Sequence, residues 1–265
     1  MRVLGLDIGS RSVDAVWLGD GGVVVDAAVS DSGFDPAAAA RAFVERNDHD
    51  VIVATGYGRH QAREAFGCTA ITEIRAYGLG AHQLFPDASS VLDIGGQDTK
   101  VIALGQDGRV ADFEMNDKCA AGTGKFLEVM ARALGYSLDE MAEASMAAEH
   151  GLPITSMCTV FAESEVTGLV HRGEDRAMIA CGIHESIAKR TVSSLKRVGV
   201  RGPLVFAGGV AKNPAMVALV RAGFGWDVLV PGDAECPLAV SDAQTVGAYG
   251  AALSALWAGG ADASL

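Results

Sequence analysis

Apolar and polar positions along the chain repeat one arrangement. Residues Val3–Ile8 form a nearly unbroken apolar run, 12–18 alternates as a strand does, and 23–29 offers a third strand. Gly19, Asp20, Gly21 and Gly22 make the turn before that third strand. The spacing predicts a helix over 36–45, then a buried strand over 51–54 that runs into Thr55, Gly56, Tyr57, Gly58 and Arg59. The arrangement then recurs. Residues 90–98 hold a strand that ends in Asp93-Ile94-Gly95, as the first ends in Asp7-Ile8-Gly9. An alternating run over 99–104 and a turn at 106–109 follow. A third buried strand, 203–207, enters Gly208 and Gly209 and leads into a helix through Val217 and Leu219. A small-residue helix is expected over 243–256.

A duplicated unit is more specific than either copy alone. It predicts an α/β protein of two related lobes, 1–88 and 89–265, divided near Asp87-Ala88-Ser89. The last helix is free to pack back on the first lobe. Glycine turns at an aspartate let backbone N–H groups approach a phosphate closely. Turns of this kind facing each other from two lobes form a cleft suited to a nucleotide. In that cleft Asp7 and Asp93 are expected to handle Mg²⁺ beside the phosphates. Gln97 and Asp98 are placed to orient an attacking water. Lys100 reads either as a phosphate contact or as a solvated strand residue.

Between the second and third glycine turns lie two cysteines in similar settings. Cys119 sits in a Gly- and Ala-rich loop before a run with Phe126, Leu127, Met130 and Leu134 at helical spacing. Cys158 precedes a similar run through Val160, Phe161, Val166 and Leu169. Thiols at two helix starts meet free N–H groups and the positive end of a helix dipole, a setting for an anion. A thiolate-bound iron–sulfur cluster is such an anion, and it usually takes four thiolates. Two from each subunit of a two-fold dimer complete the set. Zinc is the rival, but paired C-x2-4-C ligands are absent.

The remaining features narrow the class. A net charge of −12 argues against nucleic acid and anionic membranes as partners. The chain enters a strand directly from its first residues, so no signal peptide is expected. No apolar run reaches about 18 residues, so no membrane span is expected. Five cysteines then suit a reducing cytoplasm. Cys68 and Cys181 read as small buried hydrophobes, Cys236 has no assigned role, and the six histidines do not cluster. Gly122-Thr123-Gly124-Lys125 is not a Walker loop, because Cys119 and Phe126 stand where that motif needs Gly and Ser or Thr.

Four stretches carry a family likeness: NDKCAAGTG over 116–124, CTVFAESEV over 158–166, DIGGQD over 93–98 and ATGYGR over 54–59. With them the chain resembles the activator ATPases of 2-hydroxyacyl-CoA dehydratases, in the same family as the ATP-hydrolysing subunits of benzoyl-CoA reductase. The resemblance implies a two-lobed, duplicated ribonuclease H-like fold of the acetate and sugar kinase, Hsp70 and actin type. It implies a homodimer with one 4Fe-4S cluster bound by Cys119 and Cys158 of each subunit. ATP, ADP and Mg²⁺ would occupy a cleft lined by Asp7, Gly9, Ser10, Asp93, Gly95, Gly96 and Gln97. Gly208, Gly209 and Asn213 would lie on the adenosine side. ATP hydrolysis would open the dimer and pass one low-potential electron to an iron–sulfur dehydratase or reductase, with ferredoxin or flavodoxin as donor. Arg11-Ser12-Val13-Asp14 departs from the pattern, since relatives often carry small or Thr/Ser residues followed by Lys. A small-molecule kinase of the same fold and a non-enzymatic redox sensor are the rival readings.

Overall fold

The computed structural model describes residues 1–156, 158–233 and 240–257. Cys236 lies outside them. Two five-stranded mixed sheets organise the chain. The first contains β1 (Val3–Ile8), β2 (Ser12–Leu18), β3 (Val24–Asp31), β4 (Val51–Thr55) and β5 (Thr69–Ala70), in the order β3-β2-β1-β4-β5. The second contains β6 (Ser90–Ile94), β7 (Thr99–Leu104), β8 (Val110–Asn116), β9 (Leu204–Ala207) and β10 (Val228–Leu229), in the order β8-β7-β6-β9-β10. The two orders are the same. In each sheet the opening strand pairs antiparallel with the next and parallel with a strand that returns after a crossover. The duplication expected from the repeated Asp-Ile-Gly is therefore a duplication of topology.

β1 and β6 are buried along their whole length. Both faces are covered, which is why these two segments read as unbroken apolar runs. β3 alternates instead, as an edge strand with one wet face does.

The helices are α1 (Pro36–Val44), α2 (Arg59–Phe66), α3 (Glu73–Leu84), α4 (Gly124–Leu134), α5 (Leu138–Ala147), α6 (Thr159–His171), α7 (Arg176–Val198), α8 (Pro214–Phe224) and α9 (Val246–Trp257). Local chemistry sets their starts. Asp35 caps α1 ahead of Pro36, and Ser137 with Glu140 forms a reciprocal capping box on α5. Among the described residues no helix is long and apolar enough to cross a membrane.

The second sheet packs on α4 and α7 through Leu92, Phe126, Met130, Leu134, Ile183, Ile187 and Phe206. The first is closed on one face by α1 and α2, with Leu4, Leu6, Trp17 and Phe43 buried. Its other face is covered by α9, through Val16, Val53, Val246, Ala251 and Leu253, and α3 packs between α9 and the second sheet, with Ala81 and Leu84 against Val91 and Ile102. The last helix thus packs on the first sheet. Sequence periodicity left β8, α2, α3 and α5 unassigned.

Candidate functional site

A cleft of about 810 Å³ lies between the sheets, and both duplicated turns open into it. Asp7 sits near the end of β1 opposite Asp14 of β2, and Asp93 sits in the same place on β6 opposite Lys100 of β7. Residues directly opposite across an antiparallel pair share a face. Asp7, Asp14, Asp93 and Lys100 therefore all line the cleft while being at most 5% exposed.

The turns are built alike. Gly9 N–H donates to Ser12 O at 2.9 Å, and Gly95 N–H donates to Asp98 O at 3.0 Å. The next two N–H groups of each turn, at Ser10 and Arg11 and at Gly96 and Gln97, have no internal partner among the described residues. Unpaired N–H groups at the mouth of a cleft are the donors a phosphate requires. Each turn is also backed by a glycine from the returning strand. Gly56 (φ 87°) and Gly208 (φ 85°) hold a left-handed conformation suited to glycine. A Cβ on Gly56 would stand 2.6 Å from Asp7 Oδ1, and one on Gly208 would stand 2.3 Å from Asp93 Oδ1. Gly56 within ATGYGR is thus the counterpart of Gly208, an equivalence the sequence reading missed.

Lys100 is 2% exposed, which excludes the solvated-strand reading. Its Nζ lies 2.6 Å from Glu73 Oε2, 2.7 Å from Asp98 Oδ2 and 2.9 Å from Asp93 Oδ2. Asp98 is thereby committed to the lysine rather than to water. Burial works against the ammonium, but the three carboxylates together raise its pKa well above the ordinary lysine value. Burial pushes the Asp93 carboxyl up to about 6, with Lys100 pulling the other way, so the pair is ionised at neutral pH. Burial, then Glu73 and Asp14 nearby, raise Asp7 well above the usual carboxylate range. Burial pushes Asp14 up to about 8. Asp93 Oδ1 and Asp14 Oδ1 are buried without a hydrogen-bond partner. Among the described residues no three His, Cys, Asp or Glu side chains are grouped to hold a metal by themselves. Mg²⁺ beside a nucleotide needs no such cage, since it uses one or two carboxylates with phosphates and water. The bare Asp93 Oδ1 fits that role.

The third turn contributes Gly208 and Gly209 to the same cleft. Asn213 also lines it, but its side chain is occupied: Oδ1 caps α8 at Met216 N–H, and Nδ2 meets His184 Nε2 at 3.2 Å. His184 is fully buried, and burial lowers its pKa, so it is a neutral core histidine.

Cys119 lies in the loop that leads from β8 into α4, beside the second turn. Gly124 N–H donates to Gly95 O at 2.9 Å and Lys125 N–H donates to Gly96 O at 2.8 Å. The first turn of α4 is therefore joined through its backbone to the second glycine turn. Thr123 is the residue that caps α4, and Cys119 lies one turn earlier, in a loop fixed by Asn116 Nδ2 donating to Cys119 O at 3.0 Å. Cys158 is itself the N-cap residue of α6, with no side-chain capping bond, so its thiol is uncommitted. Both thiols are free and exposed. Phe126, Leu127, Met130 and Leu134 are buried as their spacing predicts. The run after Cys158 differs: Val166 is buried, whereas Val160 and Phe161 are each 67% exposed. α4 and α6 pack against each other, so the two cysteine-bearing segments lead into neighbouring helices. Cys68 and Cys181 are buried, as expected of small hydrophobes.

Paired sheets with glycine turns facing across a cleft define the class of acetate and sugar kinases, Hsp70 and actin. A ROK family glucokinase from Streptomyces griseus shares the fold alone, with a TM-score of 0.57 at 12% identity over 96% of this chain and 99% of its own. The family is narrower: residues 4–255 match the BadF/BadG/BcrA/BcrD ATPase family, and the chain belongs to it. The activator of lactoyl-CoA dehydratase from Anaerotignum propionicum is 43% identical over 96% of this chain and 97% of its own. The (R)-2-hydroxyglutaryl-CoA dehydratase component A from Acidaminococcus fermentans superposes with a TM-score of 0.86 at 37% identity, covering 96% and 97% of the two chains. The activator of the 2-hydroxyisocaproyl-CoA dehydratase from Clostridium difficile, with bound ADPNP, gives 0.85 at 35% identity over both full chains.

Proposed function

We propose that the chain is an ATP-hydrolysing activator of an iron–sulfur enzyme acting on a 2-hydroxyacyl-CoA, working as a homodimer about one shared 4Fe-4S cluster. The carrying observation is the pair of backbone hydrogen bonds from Gly124 and Lys125 to Gly95 and Gly96. They tie the turn that would hold phosphate to the helix that follows Cys119. The relatives' activity supports the same reading.

The free N–H groups of Ser10, Arg11, Gly96 and Gln97 bind the phosphates, and Gly208 and Gly209 border the adenosine. Asp93 Oδ1 and Asp7 receive Mg²⁺, directly or through water. The exposed Gln97 orients the attacking water. Cys119 and Cys158 of each subunit would hold the cluster. When bound, it supplies a single low-potential electron. Their exposure on one chain, with Val160 and Phe161 uncovered beside Cys158, suits a site finished by a second subunit. Closing the lobes on ATP moves the second turn, and α4 with it, so nucleotide state alters the spacing of the cysteine segments.

The test is anaerobic purification followed by iron, acid-labile sulfide and solution mass. About four irons per dimer are expected, lost in Cys119→Ser and in Cys158→Ser with ATP binding retained. A folded, ATP-binding monomer without iron would overturn the reading in favour of a small-molecule kinase.

A further inference from the structure

The duplication shows what an aspartate in this position requires. In the second copy Asp93 faces Lys100 across the strand pair, and the ammonium lies 2.9 Å from Asp93 Oδ2. In the first copy the same register places Asp14 opposite Asp7. Both are 5% exposed, and Asp14 Oδ1 has no partner among the described residues. One copy carries its cation covalently; the other presents a second carboxylate.

Cations of the protein near Asp14 are already engaged. Lys100 is held by Glu73, Asp93 and Asp98. Lys212 Nζ lies 3.1 Å from both Asp242 Oδ2 and Gln244 Oε1. Arg11 pairs with Glu128, and Arg59 Nη1 donates to Gly56 O. Asp14 is left with Ser12 Oγ, which donates to Oδ2 at 3.3 Å. Asp7, Asp14, Glu73, Asp93 and Asp98 thus share one ammonium along the cleft wall. Buried carboxylates in such excess are costly unless a cation joins them.

We propose that Asp14, with Asp7, forms a binding site for a metal cation from solution, in the place where the second copy carries the ammonium of Lys100. The site needs no nucleotide, so it goes beyond the Mg²⁺ that would accompany ATP. Its oxygen ligands suit a hard cation.

The full-length protein, prepared anaerobically without nucleotide in choline chloride buffer, is titrated separately with KCl and MgCl₂ at constant ionic strength. Thermal unfolding is followed in each. At about a hundred-fold excess over Kd the midpoint of the wild type should rise roughly 5–10 °C with the ion that binds. A rise with K⁺ alone assigns an alkali cation; a rise with Mg²⁺ alone assigns a divalent one. The rise should vanish in Asp14→Asn. Asp14→Lys should unfold at a temperature no lower than the cation-bound wild type and ignore both salts, because it restores the tethered charge. Iron content serves as a control that the variants assemble. No ion-specific rise in the wild type, or an undiminished one in Asp14→Asn, would overturn the site and leave a buried proton on Asp14. Because ATP is absent throughout, that failure is separate from failure of the ATPase reading.

Discussion

Arg11 Nη2 lies 2.7 Å from Glu128 Oε1, an ion pair that joins the turn between β1 and β2 to helix α4. The stem of Arg11 also lies against the second turn, where a Cβ added to Gly96 would stand 2.3 Å from Arg11 Cγ. One side chain therefore touches the first lobe's turn, the second lobe's turn and the helix behind Cys119. The pair is half exposed, with Arg11 at 53%, so its static worth is roughly 0–1 kcal/mol. On the proposed function its effect belongs to ligand-driven closure. Arg11→Ala and Glu128→Ala should each shift the melting midpoint by less than about 4 °C. Each should weaken ATP binding about 5-fold, with no further loss in the double variant. Calorimetry on all four proteins closes the cycle; strictly additive losses would mean the two side chains act apart.

Removing Lys100 leaves Asp93, Glu73 and Asp98 facing one another in a buried site. Lys100→Met should cost roughly 3–5 kcal/mol in urea unfolding, the range for stripping one partner from a buried ion pair. Adding Glu73→Gln should recover part of that loss, since it removes one of the uncompensated charges.

Gly208→Ala tests the fit behind Asp93. The strained φ and the 2.3 Å approach to Asp93 Oδ1 predict a loss of roughly 1–3 kcal/mol. ATP hydrolysis should fall far more than that loss of folded protein accounts for, because Asp93 is displaced. Gly225→Ala is the control: it shares a positive φ of 87° but a Cβ there meets nothing within 4 Å.

Asp14 gives a pH dependence with a definite sign. Its folded pKa of about 8 lies above the ordinary aspartate value of 3.8, so between these values the folded state holds a proton that the unfolded chain releases. Stability from this group is present at low pH and lost as pH rises toward 8. Asp93, at about 6, contributes to the same fall only in its lower part. In nucleotide-free choline buffer the melting midpoint should therefore drop between pH 6 and 8, and Asp14→Asn should make that drop shallower, with the raised Asp7 carboxyl supplying what remains. A flat wild-type profile there would show Asp14 already ionised.

The sequence made the duplication legible because Asp-Ile-Gly recurs at two strand ends, where burial on both faces leaves an unbroken apolar signature. The buried helical face of α4 was equally plain. Glu73, Asp98 and Lys100 were not legible as a unit: Glu73 arrives on α3, and only the fold brings it within 2.6 Å of Lys100. α3 itself was obscured by Gly78 and Gly80, residues that weaken a helical pattern. A Cβ on Gly80 would lie 2.3 Å from Val246 O, so that glycine serves the close approach of α9. Val160 and Phe161 matched a helical apolar face, yet they stay uncovered, because periodicity records which side is apolar and not whether this chain covers it. Cys119 read as a helix start, but Gly122, at φ 84°, turns the backbone before the helix begins.

The packing of α9 on the first sheet also orders events in time. Strands β1 and β4 are made well before Val246, Ala251 and Leu253, which shield them, because the whole second sheet lies between in the chain. Until those residues emerge, one side of the opening sheet stays bare in the nascent chain, and a message truncated before codon 246 yields a protein with an unprotected N-terminal half. Closure of the first sheet is therefore a long-range event, set by the meeting of two chain segments that lie on opposite sides of the second lobe in sequence.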